Sequence, residues 1–199
     1  GIAGASMLAR MNETHAGVTE WGLSHFDWRG DEKVLDIGCG GGATLRRMSA
    51  HIGSAGHLTG LDYSEVSVEE SKAFNAEDMA AGKMDVLVGS VETLPFADSA
   101  FDKITTVESF YFWPDPAANL REVLRVLKPG GVLVFVDSVQ PTDEPDLARL
   151  LEAFPAYFHE PYYSTYAETD LAALFSGAGL RLVSEDRAFL TKAMLFEKA

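Results

Sequence analysis

Disulfide chemistry is excluded first, because the 199-residue chain holds one cysteine, Cys39. A single cysteine leaves no partner for an intrachain bridge and fits a reducing compartment. Basic residues are also scarce, with 16 Lys and Arg against 30 Asp and Glu, a net charge of −14. Polyanions are bound largely through Lys and Arg, so this balance weighs against a nucleic-acid partner. It agrees with a strongly solvated acidic surface. No uninterrupted apolar run reaches membrane-spanning length and no stretch reads as a secretory leader, so the expected location is the cytoplasm. No His/Cys/Asp/Glu spacing resembles a metal site. Internal repeats, low-complexity tracts and a dividing linker are missing as well, which predicts a single domain over residues 1–199.

Apolar strands alternating with helical stretches follow a helical entry segment over residues 5–26. Strands are expected at 33–37, 57–61, 85–88, 103–107 and 132–136. Helices are expected at 43–52, 64–80 and 117–126, then at 146–154 and 169–178. Strands at 180–186 and 192–197 close the chain as an antiparallel pair. This alternation predicts an α/β fold with a parallel sheet covered on both faces.

The richest stretch is Val34-Leu35-Asp36-Ile37-Gly38-Cys39-Gly40-Gly41-Gly42. A strand runs into a glycine turn and then a helix, so a ligand can lie against bare backbone. Gly38-x-Gly40-x-x-Ala43 formally satisfies the dinucleotide fingerprint. Asp62 follows at a distance suited to ribose hydroxyls, which either a dinucleotide or another nucleoside cofactor would offer. Asp36 separates the two. A carboxylate there repels a pyrophosphate but suits the ammonium and sulfonium of S-adenosylmethionine. Cys39 fits the loop by its small size.

Four segments, VLDIGCGGG (34–42), LTGLDYS (58–64), GSVETLPFADSAFDKI (89–104) and NLREVLRVLKPGG (119–131), carry a resemblance to the class I S-adenosylmethionine-dependent methyltransferases. The chain looks closest to their small-molecule branch, which includes quinone-biosynthesis methyltransferases. The resemblance implies a Rossmann-like, doubly wound, seven-stranded sheet, mostly parallel, with a C-terminal antiparallel hairpin. It implies an N-terminal lid (1–30), a cofactor core (31–139), an acceptor-side insertion (140–168) and a final helix and hairpin (169–199). Asp36, Gly38, Gly40 and Gly42 would surround the methionine part of the cofactor, and Asp62 would hold the ribose. Tyr63 would pack near the adenine, and Ser90, Val91 and Glu92 would line its edge. Relatives often carry an acid where this chain has Ser90, whose hydroxyl can still accept a hydrogen bond.

Glu108 follows the fourth strand, beside cofactor and acceptor, and four aromatics come after it: Phe110, Tyr111, Phe112 and Trp113. Two of the four are expected in the core. The acceptor side has two further candidate segments. Met11, His15 and Val18 share one helical face, with Asn12 beside them. Residues 154–166 hold Phe154, Tyr157, Phe158, His159, Tyr162, Tyr163 and Tyr166, which suit an aromatic or apolar acceptor. His15, Glu108 and His159 are the catalytic candidates. His25, His51 and His57 read as structural. The implied reaction is in-line methyl transfer to a small molecule. A non-catalytic cofactor sensor or partner subunit, and an NAD(P)-dependent oxidoreductase, stand as alternatives.

Overall fold

The computed structural model describes residues 16–143, 146, 163–188 and 190–199. Seven strands form one sheet: β1 (Lys33–Ile37), β2 (His57–Asp62), β3 (Met84–Val88), β4 (Phe101–Val107), β5 (Leu127–Ser138), β6 (Leu180–Ala188) and β7 (Thr191–Lys198). Their spatial order is β3-β2-β1-β4-β5-β7-β6. The first five strands pair in parallel, and β7 runs antiparallel to both β5 and β6. The expected sheet and closing hairpin are both present. Strand order reverses between β1 and β4, the place where an open parallel sheet leaves a crevice at its carboxyl end.

Helices cover both faces. Leu23 of α1 (Ala16–Leu23), Leu45 and Met48 of α2 (Ala43–Ser49) and Val68 of α3 (Glu65–Phe74) pack with Val34 and Leu58 on one face. On the other, Leu120, Val123 and Val126 of α5 (Pro116–Val126) join Leu35, Ile104 and Phe135. The spacing of those three α5 residues puts one apolar stripe on the sheet, each side chain contributing roughly 1.5–3 kcal/mol on burial. Pro116 sits in the first turn of α5, and Asp115 caps it by accepting from the Ala118 amide at 3.0 Å. Two further helices, α6 (Tyr163–Glu168) and α7 (Leu171–Ala178), precede the hairpin, and Gly179 closes α7 at φ 106°.

The segment expected as one helix over 64–80 is two, α3 and α4 (Ala76–Ala80), parted at Asn75. Asn75 is fully buried, and its side-chain amide donates to the carbonyls of Gly42 (3.1 Å) and Ser71 (3.0 Å). Strand β5 starts at Leu127 instead of 132, because Leu127 pairs with Phe101 across an irregular register. Most of the expected helices over 5–26 and 146–154 lies outside the described residues. No helix among those described is long and apolar enough to cross a membrane.

Candidate functional site

The loop after β1 is anchored through its backbone. The amides of Gly38 and Cys39 donate to the Leu61 carbonyl at 2.8 and 3.1 Å, tying the turn to the end of β2. Gly38, Gly40 and Gly42 all have left-handed φ values of 77°, 50° and 81°. A β-carbon on Gly38 would lie 2.5 Å from Cβ of Ser109, and one on Gly42 2.3 Å from the Ser71 hydroxyl. At Gly40 it would meet nothing within 4 Å. The loop is therefore packed at its two ends and open in the middle, where a ligand can approach the backbone. Cys39 is buried in the core, as its size suggests.

Asp62 closes this loop onto the next helix. One carboxylate oxygen accepts from the Gly40 amide and the other from the Ser64 amide, each at 2.9 Å. Burial raises its pKa, and the two amides oppose that rise. Each oxygen keeps a second lone pair for a ligand hydroxyl. Tyr63 stands beside it with 73% of its surface exposed, a face a flat ring could cover. Ser64 caps α3 by accepting from the Ser67 amide at 3.3 Å.

Asp36 lies beneath the loop, 1% exposed, between Gly60 on β2 and Thr105 on β4 in the sheet register. The Thr105 hydroxyl donates to Oδ1 at 2.6 Å, while Oδ2 has no hydrogen-bond partner among the described residues. Burial pushes its pKa up to about 7, the Thr105 bond opposes this, and the Asp62 charge adds to it.

Ser90 donates to Glu92 Oε2 and accepts from the Glu92 amide, both at 3.1 Å. One of its two acceptor positions is thus left over. Val91 turns into the core, 8% exposed, and Glu92 faces solvent. Arg125 braces the following segment, donating to the carbonyls of Leu94 (2.8 Å) and Phe96 (2.7 Å) and to Asp98 (2.9 Å). Sequence reasoning misses this brace, since Arg125 reads only as a polar position on an amphipathic helix.

Glu108 directly follows β4 at φ 49°, a left-handed value that is uncommon for a side chain of its size. Its amide donates to the Val136 carbonyl at 2.8 Å, and its Oε2 accepts from Tyr111 (2.9 Å) and Ser138 (3.3 Å). Neighbouring Ser109 packs against Gly38, so Glu108 borders the loop at the β1/β4 crevice. Phe110, Tyr111 and Trp113 are buried and Phe112 is exposed, so three of the four aromatics are in the core where two are expected. Tyr166 is buried against Phe110 and Tyr111 and donates to the Ser138 carbonyl.

His15, Met11, Asn12, Phe154, Tyr157, Phe158, His159 and Tyr162 lie outside the described residues. The remaining histidines are engaged structurally: His25 with Trp21, His51 stacked on Trp28, His57 with Asp85. No cluster of metal-binding side chains occurs among the described residues. A cavity of about 360 Å³ opens at the other end of the sheet, beside Asp102, Lys103 and Lys128. Its two lysines are already paired, Lys103 with Glu32 and Lys128 with Asp102, each at 2.7 Å.

Two buried carboxylates, an open glycine backbone and an exposed tyrosine suit a ligand with a cation, vicinal hydroxyls and a flat ring. A pyrophosphate would meet the two acids instead. Comparison with known proteins agrees. Residues 35–135, just over half of the chain, match the methyltransferase domain family. A demethylmenaquinone methyltransferase of Listeria welshimeri serovar 6b is 35% identical over 125 residues, covering 63% of this chain and 51% of the relative. One from Lactococcus lactis subsp. lactis is 36% identical over 125 residues, covering 63% and 48%. The chain spans about half the length of the curated relatives it matches. Among solved structures, a S-adenosylmethionine-dependent methyltransferase from Aquifex aeolicus superposes with a TM-score of 0.77 at 20% identity, covering 98% of both chains. A chain of the Haloferax volcanii complex containing the Trm112 methyltransferase activator gives 0.80 at 21% identity, covering 96% of this chain and 93% of that one. At these identities the likeness is one of fold.

Proposed function

The chain belongs to the class I S-adenosylmethionine-dependent methyltransferases, and on that premise we propose that it methylates a small-molecule acceptor by in-line displacement. The observation that carries this reading is the glycine loop clamped at Gly40 by Asp62 and floored by buried Asp36. When bound, the cofactor supplies an electrophilic methyl group on a sulfonium that is already a good leaving group. The protein's part is to orient the acceptor and exclude water. Asp36, Gly38, Gly40 and Gly42 hold the methionine portion, and Asp62 accepts from the ribose hydroxyls. Tyr63 covers the adenine, and Ser90, Val91 and Glu92 line its edge. Glu108 sits where it can contact the cofactor by its backbone and take a proton from the acceptor by its carboxylate. His15 and His159 belong to the lid (1–30) and acceptor-side (140–168) segments in this reading.

The acceptor is flat and aromatic or apolar. The curated relatives are named for demethylmenaquinone, a quinone, and the tyrosine-rich stretch 154–166 supports a similar shape. The excess of acids supports no nucleic-acid partner, and the single cysteine supports a cytoplasmic setting.

Calorimetric titration with S-adenosylmethionine, S-adenosylhomocysteine and NADH tests the cofactor, using the native chain and Asp62→Ala. Binding of the first two, lost in the variant, followed by release of S-adenosylhomocysteine with a quinol panel, is the expected result. Binding with no turnover on any acceptor would favour a sensor or partner subunit. Binding of NADH alone would overturn the reading.

A further inference from the structure

Asp36 presents a problem that the loop above it does not solve. Its side chain is 1% exposed, and among the described residues only one of its two oxygens has a donor, the Thr105 hydroxyl. An ionised carboxylate left half-bonded in a buried site is costly, and it becomes affordable once a cation arrives. Among the described residues, none of the elements packed around it provides one. Asp62 on β2 is itself an acid whose charge adds to the cost, and the Cys39 thiol in the loop is held in its neutral form by burial. On β4, Lys103 is paired with Glu32 at 2.7 Å. On α2, Arg46 reaches Glu77 and Asp78, and Arg47 donates to the Ala43 carbonyl. Glu20, the one charged residue of α1, faces solvent.

Resting on the cofactor assignment above, we infer that Asp36 distinguishes the charged cofactor from its spent product: it is protonated in the ligand-free protein and ionises when S-adenosylmethionine enters. S-adenosylhomocysteine keeps the ammonium but lacks the sulfonium, so it compensates the buried charge less. Cofactor uptake is then coupled to proton release, and product binding is coupled more weakly. The raised pKa of about 7 puts this coupling near neutral pH.

The test is calorimetry at pH 7 in two buffers of different ionisation enthalpy, which yields the protons released per ligand bound. The native chain should release roughly half a proton per S-adenosylmethionine and clearly less per S-adenosylhomocysteine. Asp36→Asn, which keeps the shape and an acceptor for Thr105, should abolish the release. It should also lower the affinity ratio of cofactor to product by about tenfold, the equivalent of one pKa unit of lost coupling. A second variant, Thr105→Val, keeps the acid but removes the bond that opposes its rise, so the pH of greatest release should move upward. Binding of S-adenosylmethionine with buffer-independent heats, an unchanged ratio in Asp36→Asn, or an unmoved pH profile in Thr105→Val would overturn this inference and leave the cofactor assignment standing. No binding of S-adenosylmethionine to the native chain would overturn both.

Discussion

Tyr111 donates its hydroxyl to Oε2 of Glu108 across 2.9 Å, and so fixes a carboxylate whose own backbone is held at φ 49°. A non-glycine residue in that region costs on the order of 1–3 kcal/mol and persists where the surroundings enforce it. Glu108→Gly removes the strain, whereas Glu108→Ala keeps it. The glycine variant should therefore be more stable than the alanine variant by about 1 kcal/mol in urea unfolding. Both should lose at least tenfold in methyl transfer if the carboxylate assists the acceptor; undiminished turnover in either would exclude that role.

The three left-handed glycines make separable predictions. Gly42→Ala drives a methyl group into Ser71 and Asn75, and Gly38→Ala into Ser109. Each combines overpacking with backbone strain, and should cost about 2–4 kcal/mol. Gly40→Ala meets open space, so strain alone applies, about 1–2 kcal/mol. Its affinity for S-adenosylmethionine should nevertheless fall more than tenfold. Thermal melts set beside binding constants check the order; a Gly40→Ala chain that melts earliest but binds normally contradicts it.

Asp36 gives stability a distinctive pH dependence. Its folded pKa, about 7, lies above its ordinary value of 3.8. The folded protein thus binds the proton more tightly than the unfolded chain. The resulting stability is fully present below pH 3.8 and is lost as pH rises to about 7. This one group withdraws something on the order of 4 kcal/mol over that window. Asp36→Asn should flatten the slope and be the more stable chain at pH 8. Urea titrations at pH 5 and pH 8 measure this directly.

Glu32 has the opposite sign. Burial would raise its pKa, but bonds from Lys103 and from the amides of Arg29 and Gly30 hold it at about 2. Its contribution is present above pH 4.5 and disappears as pH falls through about 2. Glu32 and Lys103 are 0% and 5% exposed, so Glu32→Gln strands a buried ammonium. That should cost about 3–5 kcal/mol, most of it recovered by adding Lys103→Met. Cofactor affinity should change less than twofold, because the pair lies at the other end of the sheet from the glycine loop.

Much of this architecture is legible in the chain because its signals are local. Strand β1 is predicted at 33–37 and found there, since an apolar run is cut by glycine at 38. Asp36 and Asp62 stand out for the same reason, as acids at the ends of apolar strands. What the pattern cannot show is pairing across long separations. Asn75 parts two helices because its partner carbonyl is at Gly42, 33 residues away. Arg125 braces Leu94 from 31 residues away. The aromatic run also hides its burial: a three-residue turn of 3-10 helix over Phe110–Phe112 rotates only Phe112 outward.

The Asn75 break has a consequence for motion. Its side-chain amide fastens the carbonyl of Gly42 to the last turn of α3, so a ligand-facing loop and an outer helix share one fastening. Local opening of that junction releases both together, as one cooperative unit. A disturbance on the outer surface near residues 74–76 thereby reaches the glycine loop without passing through the sheet.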